Sequence, residues 1–458
     1  MSLVLYDLET TGLSSHFDQI VQFGAVRLDD AFEVVEQYET SCRLQPHIVP
    51  APSALHVTGT SYSDLISPAR RSHFSMIVEI HELFTRWSPA AFIGYNSIKF
   101  DEEFLRHAFY QCLLEPYLTS RGNARGDVLR LARAVSKRRP DVLPTAFGPN
   151  GERSMKLHDV ATACGFRSEG AHEAMADVEA MRWIVKVVSD GAPDIWSRFM
   201  QFSTKAAAQD FIREEDAFVS FEADRPGQGF RLLTAFGQHP VQDAVRYCLD
   251  LSVSVDGLRA ATDEELIEMF KLRDGPLRRV KANGSPLLFP LYEALDTTFP
   301  DLIEDDVLRQ ARSIRTDEAF TARLNSAASA AERVFEESDH VEQQLYGRFI
   351  PDSEKPIMQQ FHVAPWEERL NILRRFSDAR LRRLGQRAIY FEAPHLIPNE
   401  VRATLDAAVR QRWTGDTSMP WMTAAKAIAQ IRAMPPDLDR SSLAEYEAFL
   451  LQAVSIAS

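Results

Sequence analysis

The chain has 458 residues and a formal net charge of -14, from 51 Lys+Arg against 65 Asp+Glu. Hydrophobic residues make up 45% and charged residues 25%. That is ordinary globular composition, which excludes a disordered, collagenous or coiled-coil chain and suggests about two or three domains. In chain order, Leu3 to Leu8 reads as a strand. Ile20 to Leu28 and Phe32 to Glu39 read as two more, joined through Asp29-Asp30. Ser75 to Trp87 has a helical stripe of Ile77, Ile80, Leu83, Phe84 and Trp87. Ala91 to Tyr95 is a short apolar run, expected as a buried strand. Asp101 to Leu114 and Ala174 to Val188 are expected as helices. Three strands, then helix, strand and helix, predict a mixed sheet with helices packed on it.

Ser189-Asp190-Gly191-Ala192-Pro193 breaks the last of these helices and marks a first boundary. Beyond it, Phe218 to Glu222, Phe230 to Phe236 and Ala244 to Leu251 are expected as short strands. Asp263 to Lys271 is expected as a helix, and so is Thr316 to Glu337 with Thr316 as its N-cap. A second boundary falls near Phe349-Ile350-Pro351-Asp352, after which amphipathic helices run to the end.

Cys42, Cys112, Cys164 and Cys248 form no C-x-x-C pair, so neither a disulfide scaffold nor a cysteine zinc site is expected. Met1 to Asp7 has no basic n-region, and no run reaches the roughly 18 apolar residues of a membrane span. A soluble, cytoplasmic, monomeric protein with no membrane partner is the expectation. The acidic balance excludes a basic coat over the whole surface but leaves room for a local basic groove.

Asp7-Leu8-Glu9 sets two acids on one face of a strand, together with Leu3 and Leu5. Val4, Tyr6 and Leu8 make the other face apolar too, as in a strand covered on both sides. Carboxylates there are costly unless neutralised, and a divalent cation would neutralise them. A D-x-E triplet at a solvated strand end would mean nothing, so the triplet alone is weak. Asp101 opens a helix and shares a face with Phe104, Leu105, Ala108 and Cys112. A first-turn acid is favoured there by the helix dipole alone. Asp177 lies in line with Met181, Ile184 and Val188, a stripe that should face the core. An arginine partner is the plain alternative for it. His172 lies five residues earlier, at a loop-to-helix junction. Four inward acids on three elements with a histidine near one of them suit two-metal phosphoryl chemistry, the histidine acting as base.

Asp7-Leu8-Glu9-Thr10-Thr11-Gly12, Gly94-Tyr95-Asn96-Ser97-Ile98-Lys99-Phe100-Asp101 and His172-Glu173-Ala174-Met175-Ala176-Asp177 resemble the three motifs of the DEDDh 3'→5' exonucleases. The H-x4-D spacing is that of the histidine subtype. Leu55-His56-Val57-Thr58-Gly59 is similar to a segment common between the first two motifs. Val341-Glu342-Gln343-Gln344-Leu345-Tyr346 and Gly237-Gln238-His239-Pro240 resemble segments of bacterial exonuclease I. The resemblance implies an α/β, ribonuclease H-like exonuclease domain with a mixed sheet over 1–190. It implies an SH3-like β-barrel domain with inserted helices over 198–340 and a C-terminal α-helical domain over 341–458. It also implies that Asp7, Glu9, Asp101 and Asp177 hold two Mg²⁺ ions, with Mn²⁺ able to replace them, and that His172 is the general base. The reaction would release 5'-mononucleotides from the 3' end of single-stranded DNA, in repair and recombination. Partners would be single-stranded DNA and the C-terminal tail of single-stranded DNA-binding protein. An exoribonuclease and a catalytically silent strand-binding scaffold are the alternatives.

Two arginine-rich stretches stand out from the acidic chain. Arg121, Arg125, Arg130, Arg133, Lys137, Arg138 and Arg139 form one; Arg369, Arg374, Arg375, Arg380, Arg382, Arg383 and Arg387 form the other. Each is either a solvated helix face or a track for phosphates. Thr10, Asn96, Arg125, Arg130 and Arg133 are the expected substrate-binding residues, and Tyr390 and Phe391 are candidates for stacking on bases.

Overall fold

The structure is a computed structural model. It describes residues 1–117, 122–167, 173–222, 229–272, 274–332, 337–435 and 441–457. The first sheet holds β1 (Ser2–Thr10), β2 (Ile20–Leu28), β3 (Val34–Ser41), β4 (Ala90–Gly94) and β5 (Ala124–Asp127), in the order β3-β2-β1-β4-β5. β1 pairs antiparallel with β2 and parallel with β4. The sheet is therefore mixed, as the element order predicted. The central strand is buried on both faces, and alternate residues feed two cores. Leu3 and Leu5 join Val178, Met181, Ile184 and Val188 of the helix Ala174–Gly191. Val4, Tyr6 and Leu8 join Ile77, Ile80 and Phe84 of the helix His73–Trp87 and Phe104 and Leu105 of the helix Asp101–Gln111. Period-two alternation in β1 thus reads directly into two helical layers.

The second sheet is antiparallel throughout. Its strands run in space as Leu277–Lys281, Val245–Asp250, Phe230–Gln238, Phe218–Phe221 and Leu287–Pro290. Among the described residues no ladder joins the first of these to the last. Two strands, Leu277–Lys281 and Leu287–Pro290, were not foreseen. The first carries two adjacent arginines, and the second is four residues ending in proline, so neither shows a strand pattern. The helix expected from Thr316 also starts later. Glu304–Arg315 is already helical, so Thr316 closes that helix as its C-cap. Asp317 is the N-cap of Glu318–Ala330, accepting from the Phe320 amide at 3.1 Å.

The chain after residue 350 is helical as expected, and it covers the first sheet. Met358, Phe361, Leu381 and Leu384 share a core with Phe74 and Ile77. Ala427, Ile428 and Ile431 pack with Val21, Leu44 and Leu55. Among the described residues no helix is long and apolar enough to cross a membrane.

One buried ion cluster binds the two sheets. Glu102, 1% exposed, accepts from Arg125 at 2.5 Å and also pairs with Arg106. Arg125 of β5 reaches on to the Asn283 carbonyl, at 2.8 Å from Nε, in the turn between the last two strands of the second sheet. Glu102→Ala leaves the buried Arg125 without its carboxylate and Arg106 with Glu103 alone. Urea unfolding should show a loss of about 3–5 kcal/mol, the usual consequence of breaking one side of a buried pair.

Candidate active site

The carboxyl ends of β1 and β4 lie side by side, since Leu5 pairs with Ile93. β1 ends in Asp7 and Glu9. After β4 the chain turns through Asn96, at φ +61°, into the helix that Asp101 opens. The third element is the helix Ala174–Gly191, which carries Asp177 in its first turn. Gly24 lets that helix approach. It pairs with Asp7 across the β1–β2 ladder, and a Cβ there would lie 2.9 Å from Met175 Sδ and 3.0 Å from the Ala174–Met175 backbone. A side chain at this position would push the helix start, and Asp177 with it, away from β1.

Asp7, Glu9 and Asp177 each offer an oxygen within 4.8 Å of the others. Asp7 is 9% exposed and Asp101 3%. Burial, then Asp101, Asp177 and Glu9, push the Asp7 carboxyl well above its ordinary range. Burial pushes Glu9 up to about 8, helped by the charges of Asp177 and Asp101. Asp101 is also pushed to about 8, chiefly by burial. Asp127 and Asp177 add to that rise, and the Leu8 amide opposes it. Acids raise acids here, and among the described residues no cation lowers the Glu9 carboxyl. The two helix N-termini supply the favourable dipoles nearby. A compact set of hard oxygen donors with unoffset charge fits one or more hard divalent cations.

The expected acids thus come together: three within one coordination shell, and Asp101 coupled to them by charge. His172 lies outside the described residues, as does Arg121. Thr10 is buried and donates from Oγ1 to the Gly12 carbonyl at 2.8 Å, closing the turn after β1. The Asn96 amide donates to Asp127 Oδ1 at 2.9 Å, and its side chain is exposed. Arg133 is half-buried on the helix Val128–Arg138, where its charge acts on the Tyr95 hydroxyl.

Arg125 and Arg130 depart from the expectation of free phosphate-binding groups. Arg125 is engaged by Glu102 and Asn283. Arg130 donates to the Gly284 carbonyl at 2.6 Å and the Ser285 carbonyl at 2.5 Å. Both hold the second sheet against the first. The second arginine stretch is largely occupied in the same way. Arg369 stacks 3.7 Å over Trp366, Arg380 pairs with Asp378 at 2.7 Å, and Arg387 pairs with Glu342 at 2.6 Å. Tyr390 bonds Asp406, and Phe391 stacks on His47 at 4.9 Å, so neither aromatic is a free platform. A run of arginines cannot reveal in sequence which carbonyls the fold will bring to them.

The sequence also missed a residue at the site. His158 Nε2 lies 2.5 Å from Asp177 Oδ1. It sits 19 positions before Asp177 on another helix. No fixed spacing announces such a pair; only the packing of the two helices does.

Residues 4–182 match the RNase_T exonuclease family. Exodeoxyribonuclease I of Haemophilus influenzae is 26% identical over 420 residues, covering 88% of each chain. Exonuclease I from Methylocaldum szegediense superposes with a TM-score of 0.85 at 24% identity, over 99% of both chains. E. coli exonuclease I in complex with a dA16 oligonucleotide gives 0.82 at 21% identity, over 100% of this chain and 98% of that one. An ExoI/SSB-Ct complex gives 0.81 at 20% identity with the same coverage. At these identities the structural likeness carries the fold.

The raised acids make metal-free stability depend on pH in a set direction. Glu9 is protonated in the fold up to about pH 8 but ionises near 4.5 when unfolded. Its favourable share is therefore complete below about pH 4.5 and is lost as pH climbs toward 8. In EDTA, the melting temperature of the wild type should fall relative to Glu9→Gln between pH 5 and 8. Parallel curves for the two proteins would contradict the assignment.

Proposed function

We propose, from the premise that this chain is a 3'→5' exonuclease resembling exodeoxyribonuclease I along most of its length, that it degrades single-stranded DNA from the 3' end. The cluster of Asp7, Glu9 and Asp177, with Asp101 beside it, carries this reading. The four carboxylates hold two Mg²⁺ ions, which Mn²⁺ can replace. When bound, such ions supply positive charge that makes water a better nucleophile and offsets charge on the leaving oxygen. The protein then needs no nucleophile of its own. His172 takes a proton from the attacking water. The water oxygen bonds to phosphorus, and the bond to the 3'-oxygen of the penultimate nucleotide breaks. That oxygen takes a proton from solvent as it leaves, His172 later releases its own proton to solvent, and the terminal nucleotide departs with a 5'-phosphate.

The chain divides, in this reading, into the exonuclease unit at 1–190, an SH3-like unit at 198–340 and a helical unit at 341–458. The five antiparallel strands between 218 and 290, with helices inserted after Asp250, support the middle unit. The first unit shares one hydrophobic core with the middle unit and another with the C-terminal unit. The likeness to a relative bound to dA16 supports DNA as substrate, and the likeness to an ExoI/SSB-Ct complex supports the SSB tail as a partner. DNA repair and recombination are the setting in which such an activity works.

The test is digestion of a 5'-labelled single-stranded DNA, with Mg²⁺ and with EDTA, beside its duplex and an RNA copy. A Mg²⁺-dependent ladder shrinking from the 3' end of the single strand is expected. RNA cleaved as fast as DNA would make the enzyme an exoribonuclease, because the 2'-hydroxyl would then not be discriminated. Binding without any cleavage would make it a scaffold. Asp177→Ala should abolish turnover and leave the EDTA-treated fold at least as stable, since one crowded charge is gone. His172→Ala should slow turnover by about 10²–10⁴-fold with Mn²⁺ binding retained.

A further inference from the structure

We propose that His158 is a positioning residue for Asp177, fixing the orientation in which its carboxylate meets the metal; this rests on the reading of Asp177 as a metal ligand. His158 Nε2 donates to Asp177 Oδ1 at 2.5 Å, and a carboxylate oxygen of Asp177 lies within 4.8 Å of the ligand oxygens of Asp7 and Glu9. Nε2 can donate from the neutral ring as well as the charged one, so the contact does not depend on titration. Both side chains are largely shielded, at 26% and 17% exposed. A hydrogen bond to a ligating carboxylate is the usual means of orienting such a ligand.

The histidine is itself held firmly. It stands in the first turn of the helix Leu157–Ala163, whose Leu157, Val160 and Ala161 are buried. The segment leading into that helix is pinned twice. The Lys156 amide donates to Ser154 Oγ at 3.1 Å, and Ser154 Oγ donates to Asp159. Tyr95, immediately after β4, donates its hydroxyl to the Met155 carbonyl at 2.6 Å. The residue that orients Asp177 is thereby tied to the strand that leads to Asp101. Asp177 itself has little freedom at its backbone, because its amide is bonded to the Glu173 carbonyl at 3.1 Å. Its side-chain torsions remain, and those are what His158 fixes.

The test is titration of the free protein with Mn²⁺, followed by electron paramagnetic resonance without DNA. Wild type, His158→Ala, His158→Gln and Asp177→Asn are compared, each checked for folding by melting in EDTA. His158→Ala should weaken Mn²⁺ binding about 10-fold or more. His158→Gln should restore most of it, because the Gln Nε2 reaches nearly the same point as the imidazole Nε2. A purely structural role would lower the melting temperature without this rescue of metal affinity. Should His158→Ala not fold, His158→Asn offers a shorter side chain without the same reach and should show the same loss. Unchanged or tighter Mn²⁺ binding in His158→Ala, with binding lost in Asp177→Asn, would overturn the positioning role alone. Unchanged binding in Asp177→Asn would overturn the metal reading beneath it.

Discussion

Asp7, Glu9 and Asp177 repel one another across 4.8 Å or less, between helices that exclude most of the solvent. Two ionised carboxylates at that separation oppose each other by roughly 3 kcal/mol even at an effective dielectric constant of about 20. Nothing in β1 requires this; Leu3 and Leu5 on the same face pack into an ordinary apolar core. The arrangement persists because everything around it is over-determined. The ladder fixes Asp7 and Glu9, the turn after β4 fixes Asp101, and the absence of a side chain at Gly24 admits the third helix. Burial, with the neighbouring acids adding to it, pushes Glu9 and Asp101 up to about 8, so without a cation the protein relieves the repulsion by holding protons.

The rest of the chain supports that site from both sides. Arg125 and Arg130 tie the second sheet to the edge of the first through the turn at Asn283–Ser285. The C-terminal helices share the core on the Tyr6 and Leu8 face of the first sheet. At the loop after β1, Arg412 pairs with Glu342 and lies 4.2 Å over Trp421 and 4.8 Å over Phe17. The turn that follows Asp7 and Glu9 is therefore clamped by residues more than 300 positions away.

Much of this was legible in the sequence, for physical reasons. Alternation in Leu3 to Leu8 specifies a strand buried on both faces, and acids on such a strand demand neutralisation. Of the four acids the motifs singled out, Asp7, Glu9 and Asp177 lie within 4.8 Å of one another, and Asp101 is near enough to raise Asp7 and Glu9. What stayed hidden is what depends on tertiary packing. The arginine stretches could be read as solvated helix faces or as phosphate tracks, yet Arg125, Arg130 and Arg387 are held by carbonyls and carboxylates from other segments. His158 was invisible because nothing in a lone histidine predicts which acid a neighbouring helix will present to it. The strands at 277–281 and 287–290 were missed because two arginines and a proline mask their pattern.

The most direct measurement is anomalous diffraction at the manganese edge from crystals soaked in Mn²⁺. The account predicts two anomalous peaks enclosed by Asp7, Glu9, Asp101 and Asp177, and none in crystals of Asp7→Asn. Fully occupied Mn²⁺ elsewhere, with no peak among these four carboxylates, would contradict it.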